Sequence, residues 1–321
     1  MGHTPPDISP FLKARRAALD PAAVGLPQGL VRRRVRGLRR EEVAQLAGIS
    51  VDYYTRIEQG RAHGISDSVL DAVARALRLS PAEHTYLRNI AGPSRHESRP
   101  VAREHRVRPE LRQLLDALDE SVPAFVYGPG LDILAWNRVA GRISFDLPSI
   151  PGPERNAARL VFLHPDAKAL HPDWEQLAAE TVATMRAEAG RRPELLCRIV
   201  CELLDRSADF RRHWEAQAVT ERTHGTKRIR NPLVGEVEVT YQVLLLPSDD
   251  GQVLCTYTGA RGSRTERALR ELAALTRDDD PAALLRDDDP AALTRDDAPA
   301  AQESVGAPVG ASAGTSVGAS A

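Results

Sequence analysis

The sequence has few cysteines and no long apolar run, and each shortage excludes a class of protein. Its 321 residues include only three cysteines, which are too few and too scattered for a scaffold held by disulfides. No run of about 18 apolar residues is present, so no transmembrane helix is predicted. Residues 1–10 also lack the basic and then apolar pattern of a secretion signal. We therefore expect a soluble, cytoplasmic protein that does not bind membranes.

Signatures of enzymes are missing as well. The chain has no Gly-rich phosphate loop, no nucleophile elbow and no cluster of His, Cys and Asp at metal-ligand spacing. Cys197 and Cys201 lie one helical turn apart, which fits either a metal or redox pair or two buried core thiols. We favour core thiols, because free cysteine packs as a small hydrophobe. We expect no enzyme activity, no catalytic residue, no bound metal and no cofactor.

The net charge of −1 hides a strong asymmetry along the chain. Residues 1–110 contain 19 Lys and Arg against 12 Asp and Glu, whereas the remainder contains 24 against 32. Six arginines fall within the nine positions 32–40. A basic first part beside an acidic remainder is expected when the first part faces a polyanion such as DNA.

Residues 40–60 have the pattern of two short helices separated by a tight turn. The small Ala44 allows the second helix to approach closely, and Gly48 permits the positive φ at which the first helix ends. Ser50 is a suitable N-cap for the next helix. In a helix-turn-helix the second helix enters the DNA major groove, so we favour DNA binding over an ordinary helical hairpin. The predicted core of this region comprises Leu12, Val43, Leu46, Ile57, Leu70 and Leu87.

Residues 11–16 and 37–61 resemble the Xre/Cro/CI-like helix-turn-helix family. More specifically, they look like actinobacterial regulators that join this head to a PAS-like ligand-binding domain of the MmyB type. The resemblance implies an all-α DNA-binding domain over residues 8–92, in which Glu58 pairs with Arg16 of the first helix. The residues with structural rather than DNA-contacting roles are then Arg16, Ala44, Gly48 and Glu58.

The same resemblance assigns DNA contacts. The residues entering the groove are Val51, Asp52, Thr55 and Arg56. Arg56 is the best candidate for a base contact because its fork fits the guanine O6/N7 edge, whereas Asp52 fits either a cytosine contact or a cap on its own helix. Clustered arginines neutralise phosphates without reading bases, although a solvated basic loop is the alternative. The candidates for DNA backbone contacts are Arg32, Arg33, Arg34, Arg36, Arg39, Arg40 and Tyr53.

Beyond a Pro-, Arg- and His-rich linker at residues 93–107, the sequence combines helix and strand patterns. Helical patterns are present at residues 109–120, 137–144, 173–190, 193–206 and 208–217. Strand patterns are present at residues 123–127, 131–137, 226–230, 235–247 and 252–258. We expect an α+β domain in which an antiparallel sheet carries helices on one face.

Residues 208–214 and 223–235 resemble the MmyB-type ligand-binding domain, and the resemblance covers residues 108–275. It implies a PAS-like sensor with a mostly apolar pocket for a small, fatty-acid-like ligand. The sequence leaves the ligand-binding residues unknown. Two interpretations fit the cations Lys227, Arg228 and Arg230. They bind an acidic headgroup, or they are solvated charges at the edge of a strand.

The C-terminal residues 276–321 are acidic and of low complexity. Residues 275–301 repeat the pattern Leu-x-Arg-Asp-Asp-x-Pro-Ala-Ala three times, and Ala, Gly, Ser and Val dominate after it. Proline in each unit excludes a long helix, and three such units bury no core. We predict a disordered tail.

The chain is thus predicted to be multi-domain, with an all-α helix-turn-helix head, an α+β PAS-like domain and a disordered tail. We predict a sequence-specific DNA-binding transcription regulator that senses a small apolar ligand. Double-stranded DNA is the expected partner, and a homodimer is expected because one recognition helix rarely gives operator affinity. The alternative is a protein-interaction or antitoxin-like scaffold that uses the helix-turn-helix mainly for assembly.

Overall fold

The computed structural model describes residues 7–26, 37–92, 106–221, 223–247, 249 and 251–277. The chain divides into two units, residues 1–285 and 286–321, and every described residue belongs to the first. Most of the predicted linker and nearly all of the predicted tail lie outside the described residues. So do four of the predicted DNA-backbone residues, namely Arg32, Arg33, Arg34 and Arg36.

Five helices form the N-terminal head. They are α1 (Ile8–Ala18), α2 (Arg40–Ala47), α3 (Val51–Glu58), α4 (Asp67–Ala76) and α5 (Pro81–Ala91). Gly48, at φ 67°, ends α2 in the left-handed region that glycine adopts without strain. The Ser50 hydroxyl accepts a hydrogen bond from the Tyr53 N–H and begins α3. Ser80 and Glu83 form a capping box at the start of α5.

The head encloses its own apolar core. Its fully buried side chains include Phe11, Leu12, Val43, Ala44, Tyr54, Ile57 and Leu87. The prediction that Leu46 belongs to this core is wrong, because Leu46 is 38% exposed. The short α2 makes its inward stripe from Val43 and Ala44 and turns Leu46 toward solvent.

The following region combines a sheet with seven helices in the described residues. The strands are β1 (Ala124–Tyr127), β2 (Ile133–Trp136), β3 (His224–Asn231), β4 (Gly235–Leu245) and β5 (Val253–Thr258). The helices are α6 (Pro109–Ala117), α7 (Ala157–Leu163), α8 (Ala167–Leu170), α9 (Trp174–Arg191), α10 (Pro193–Arg206), α11 (Ala208–Glu215) and α12 (Arg264–Leu275). No described helix has both the length and the apolar character that a bilayer span requires.

The five strands form one antiparallel sheet in the order β2-β1-β5-β4-β3. Directly paired residues share a face of an antiparallel sheet. The pairing of Phe125 with Cys255, and of Cys255 with Val243, therefore marks one face. The pairing of Val126 with Leu254 marks the other. The first face packs against α7, α9 and α12 in the largest core.

The prediction that helices cover only one face is wrong. Leu111 and Leu115 of α6 pack against Val126 and Leu254 on the opposite face. The predicted helix at residues 137–144 is wrong as well, since this stretch contains only a 3-10 turn, Ala140–Arg142. A side chain explains the difference, because the amide of Asn137 binds the backbone of Val122, Ala124 and Ala140.

The cysteines do not form the predicted buried pair. Cys201 is exposed and Cys197 is partly exposed, whereas Cys255 is buried in the sheet. The inward face of α10 is made by Leu196, Ile199, Val200 and Leu203, which leaves both of its thiols toward solvent. The described residues contain no group of three or more His, Cys, Asp or Glu that could hold a metal ion.

Candidate nucleic-acid interface and ligand cavity

Helix α3 presents a solvent-facing surface at the end of the turn that Gly48 makes. Val51, Asp52 and Arg56 are exposed, and Thr55 is half-buried beside them. Three of the four lie within the first five residues of the helix, which is the part that contacts base edges in helix-turn-helix proteins. The structure therefore brings the predicted base-reading residues together on one accessible surface.

The opposite side of α3 is fixed by a buried carboxylate. Glu58 is 0% exposed, and its Oε2 accepts a hydrogen bond of 2.7 Å from Arg16 Nε. Its Oε1 accepts one of 2.7 Å from Arg40 Nε, and the Tyr54 hydroxyl donates to Oε2 at 3.2 Å. These bonds tie α3 to α1 and α2, so they orient the recognition helix.

Burial alone would raise the pKa of the Glu58 carboxyl. The hydrogen bonds and charges of Arg16 and Arg40 outweigh burial and hold this pKa below its ordinary value. Burial and the adjacent carboxylate also raise the pKa of Tyr54, which keeps its hydroxyl protonated as a donor. Glu58 is therefore an anion held by two cations inside the head.

The three described residues that were predicted to contact the DNA backbone differ in their surroundings. Arg39 is exposed, and its Nη1 lies 3.7 Å from Glu41 Oε1. Tyr53 is half-buried and packs against the core of the head. Arg40 was assigned to phosphate on charge alone, but the structure pairs it with Glu58. Its spacing from Glu58 along the chain gave no indication of this bond.

A cavity of about 530 Å³ lies between the sheet and α9. Its sheet wall comprises Phe125, Tyr127, Tyr241, Val243, Cys255 and Tyr257. Its helical wall includes Leu160, Val161, Leu177, Thr181, Thr184 and Glu188. Gly225 in β3 leaves space for the ring of Tyr241, because a Cβ there would lie 2.7 Å from the Tyr241 hydroxyl. The cavity has the size and the apolar character of a small-molecule site.

A lysine of the sheet lines this cavity. Lys227 lies on the inner face of β3, opposite Val239, and its Nζ donates to the Tyr257 hydroxyl. Nζ also lies 4.0 Å from the centre of the Tyr257 ring. Burial lowers the pKa of Lys227 to about 8. The Glu180 carboxylate of α9 also lines the cavity, and its charge acts to raise the pKa of Lys227. An anion that enters the cavity would meet the ammonium group of Lys227.

Other polar groups line the cavity as well. Burial lowers the pKa of His171 to about 3, which keeps its ring uncharged at pH 7. Burial raises the pKa of Glu188, whose carboxylate accepts the Gly130 N–H at 3.1 Å. Arg228 and Asp173 both line the cavity, and Arg228 Nε donates to Asp173 Oδ2 at 2.7 Å. Of the three cations considered from the sequence, Lys227 and Arg228 line the cavity, whereas Arg230 is exposed and its Nη2 lies 3.3 Å from Glu236 Oε2.

Sequence reasoning missed Tyr127, Tyr257 and Glu188 of the cavity wall. Strand alternation places Tyr241 on the same face as Val243, and both line the cavity. The pairing with Tyr257 depends on the register between β4 and β5, which the sequence does not state. Glu188 reads as an ordinary helical surface charge until the packing of α9 is known.

Comparison with known families adds to this geometry. Residues 107–272 match the family model of the MmyB-like transcription regulator ligand binding domain. Residues 11–87 match the model of a helix-turn-helix domain. No curated protein matches the chain. The two family matches confirm the architecture that the sequence resemblance implied.

Proposed function

The chain belongs to the family of MmyB-like transcription regulators, and on this premise we propose that it binds specific DNA sequences under the control of a small apolar ligand. The helix-turn-helix and the ligand-binding domain together make it a DNA-binding transcription regulator. The finer parts of the proposal concern sequence preference, the ligand and the oligomeric state.

The solvent-facing surface of α3 is the observation that supports sequence-specific binding. Its residues Val51, Asp52 and Arg56 are exposed, and Thr55 is half-buried beside them. The Glu58 cluster holds the helix rigidly behind them. A rigid helix with accessible polar ends is what base reading in the major groove requires.

The cavity supports the ligand half of the proposal. Its walls are mainly apolar, and Lys227 and Tyr257 form one polar site within them. This combination suits an amphipathic molecule with an apolar chain and a single acidic group, such as a medium-chain fatty acid. The antiparallel sheet beneath a helical cover also supports a PAS-like classification of this domain.

We further propose that the protein acts as a homodimer. One α3 helix supplies few base contacts, and a two-fold pair reads two half-sites about one DNA turn apart. The expected target is therefore a palindromic duplex.

Selection of DNA from a random-sequence pool by the full chain tests the proposal. We expect a recovered palindromic motif. Arg56→Ala should weaken binding by about 1–3 kcal/mol and relax preference at one position of each half-site. Arg75→Ala, an exposed arginine on α4, serves as the matched control and should keep the motif. Recovery of no motif, with equal affinity for all duplexes, would overturn sequence-specific binding.

A further inference from the structure

Helix α9 has the cavity on one face and the head on the adjacent face. Its cavity stripe includes Leu177, Glu180, Thr181, Thr184, Ala187, Glu188 and Arg191 at helical spacing. Its last two turns pack against α5 of the head. A single rigid helix therefore touches both the proposed ligand and the DNA-binding part.

The contact with the head centres on Tyr86 of α5. Its ring packs edge-on against Phe11 of α1, with centroids 5.0 Å apart, and on its other side it lies over Gly190. A Cβ at Gly190 would lie 2.4 Å from the Tyr86 ring, so only glycine permits this approach. Ala187, one turn earlier, lines the cavity and also belongs to the apolar core of the head. Ala187 therefore lies between the cavity and the core of the head.

A buried arginine joins these surfaces. Arg186 is 4% exposed, and its guanidinium donates to Gln217 Oε1 at 2.9 Å and to the Trp214 carbonyl. It stacks on the Trp214 ring at 3.9 Å and interacts with the Tyr86 hydroxyl. No carboxylate in the described part of the chain forms an ion pair with it. A buried cation held only by neutral groups depends on all of them keeping their places.

The segment after α11 makes a second connection. The Ala216 carbonyl accepts from Arg15 Nη2 of α1 at 3.3 Å, and Val219 packs into the core of the head. The next residue, Thr220, donates its N–H to the Ala183 carbonyl of α9 at 3.3 Å and lines the cavity. Gln217 takes a left-handed φ of 55°, a strained conformation that its bond to Arg186 holds in place.

Helix α1 completes the route to the recognition helix. Arg15 binds the α11–β3 segment and Glu83 of α5. The neighbouring Arg16 binds Glu58 at the end of α3. Hydrogen bonds and packing thus form a continuous path from α9 to the helix that carries the proposed base-reading residues.

Resting on the proposed function, we propose that cavity occupancy and DNA binding are coupled through α9, with Arg186 as the positioning residue. A molecule in the cavity presses on the stripe of α9 between Leu177 and Arg191. Because packed interfaces shift between discrete arrangements rather than deforming smoothly, the Arg186–Tyr86 contact changes with it. The coupling is reciprocal, so DNA on α3 must also alter the cavity.

Hydrogen exchange of the full chain tests this in both directions. One probe is a duplex recovered from the random pool, and the other is dodecanoic acid. In the unmodified chain, binding of the duplex should change the rate of amide hydrogen exchange in α9 and β5 at least twofold. Binding of dodecanoic acid should change the exchange rate in α1 and α5 at least twofold. Two variants interrupt the contact, Arg186→Met on α9 and Tyr86→Leu on the head. In both, the exchange rate should still change around the bound probe but no longer in the other domain. Arg159→Met, which breaks the bond to Glu202 away from the head, is the matched control and should keep both.

The outcomes separate the coupling from the proposed function. Distant changes that persist in both Arg186→Met and Tyr86→Leu would overturn the coupling, as would their absence in the unmodified chain with a probe bound. If dodecanoic acid fails to bind, the proposed ligand is wrong, and the duplex arm decides the coupling alone. If the duplex fails to bind, sequence-specific binding is wrong, and the dodecanoic acid arm decides.

Discussion

At the residue scale, Glu58 and Lys227 are the two charges whose surroundings matter most. Glu58 is enclosed with two arginines, and its charge is matched inside the head. Lys227 faces a cavity, with a tyrosine hydroxyl as its hydrogen-bond partner. The first arrangement holds a helix in place, and the second attracts an anion. A charged side chain thus serves stability in the head and is proposed to serve recognition in the ligand-binding domain.

Replacing Glu58 by Gln should lower the free energy of unfolding by about 3 kcal/mol at pH 7, because two buried arginine contacts lose their anion. The lowered pKa of Glu58 means that its stabilisation is present above the ordinary carboxyl pKa and is lost as the pH falls through the folded value. The difference between the two chains should therefore shrink below about pH 4. Urea unfolding across pH measures this.

Glu41→Gln is the control for that variant, since the exposed Glu41 lies 3.7 Å from Arg39 and should change stability by less than about 1 kcal/mol. Equal losses in the two variants would show that Glu58 does not hold the head together.

The charge of Lys227 predicts a pH dependence of ligand affinity. Dodecanoate is anionic throughout the neutral range, and the Lys227 ammonium loses its proton as the pH rises through about 8. Affinity should thus fall as the pH rises above that value, and it should level off about tenfold lower once Lys227 is neutral. Lys227→Gln should bind about tenfold more weakly at pH 7 and lose this dependence. Calorimetric titration from pH 6.5 to 9.5 gives both results.

Arg230→Gln is the matched control, because Arg230 lies on the same strand but is exposed. Should Lys227→Gln bind dodecanoate as tightly as the unmodified chain at every pH, the anionic group does not sit at Lys227.

At the element scale, the helices with strong caps and clear periodicity could be predicted, whereas those defined by tertiary packing could not. α2 and α3 lie within the predicted helix-turn-helix because Gly48 and Ser50 act locally. α7 and α12 were not predicted, although Asn156 and Ser263 cap them. α7 is short and follows a proline-rich stretch, so its apolar residues show no full period.

The turn between α2 and α3 gives a prediction at this scale. Gly48→Ala should lower the free energy of unfolding by about 1 kcal/mol, because alanine is strained at φ 67° although no atom lies within 4 Å of its Cβ. Gly48→Asn should cost less, since asparagine tolerates the left-handed region. Thermal unfolding of both variants measures the order, and a larger loss for Asn than for Ala would contradict backbone strain as the cause.

At the scale of the whole molecule, sequence indicated two functional regions but not their contact. The head residues and the surfaces of the cavity could be assigned from motifs and alternation. Tyr86 meets Arg186 and Gly190, which lie about 100 positions later in the sequence, and no local pattern encodes such a contact. The family resemblance supplied the ligand domain, and the structure supplies its connection to α3.

The central claim is that a molecule in the cavity changes DNA binding. Fluorescence anisotropy measures the affinity for the selected duplex directly. The duplex is titrated with the full chain, once without and once with saturating dodecanoic acid. We predict that the Kd for the duplex changes by roughly 5- to 150-fold, while Lys227→Gln responds only at higher acid concentrations. An unchanged Kd, with dodecanoic acid demonstrably bound, would contradict the account.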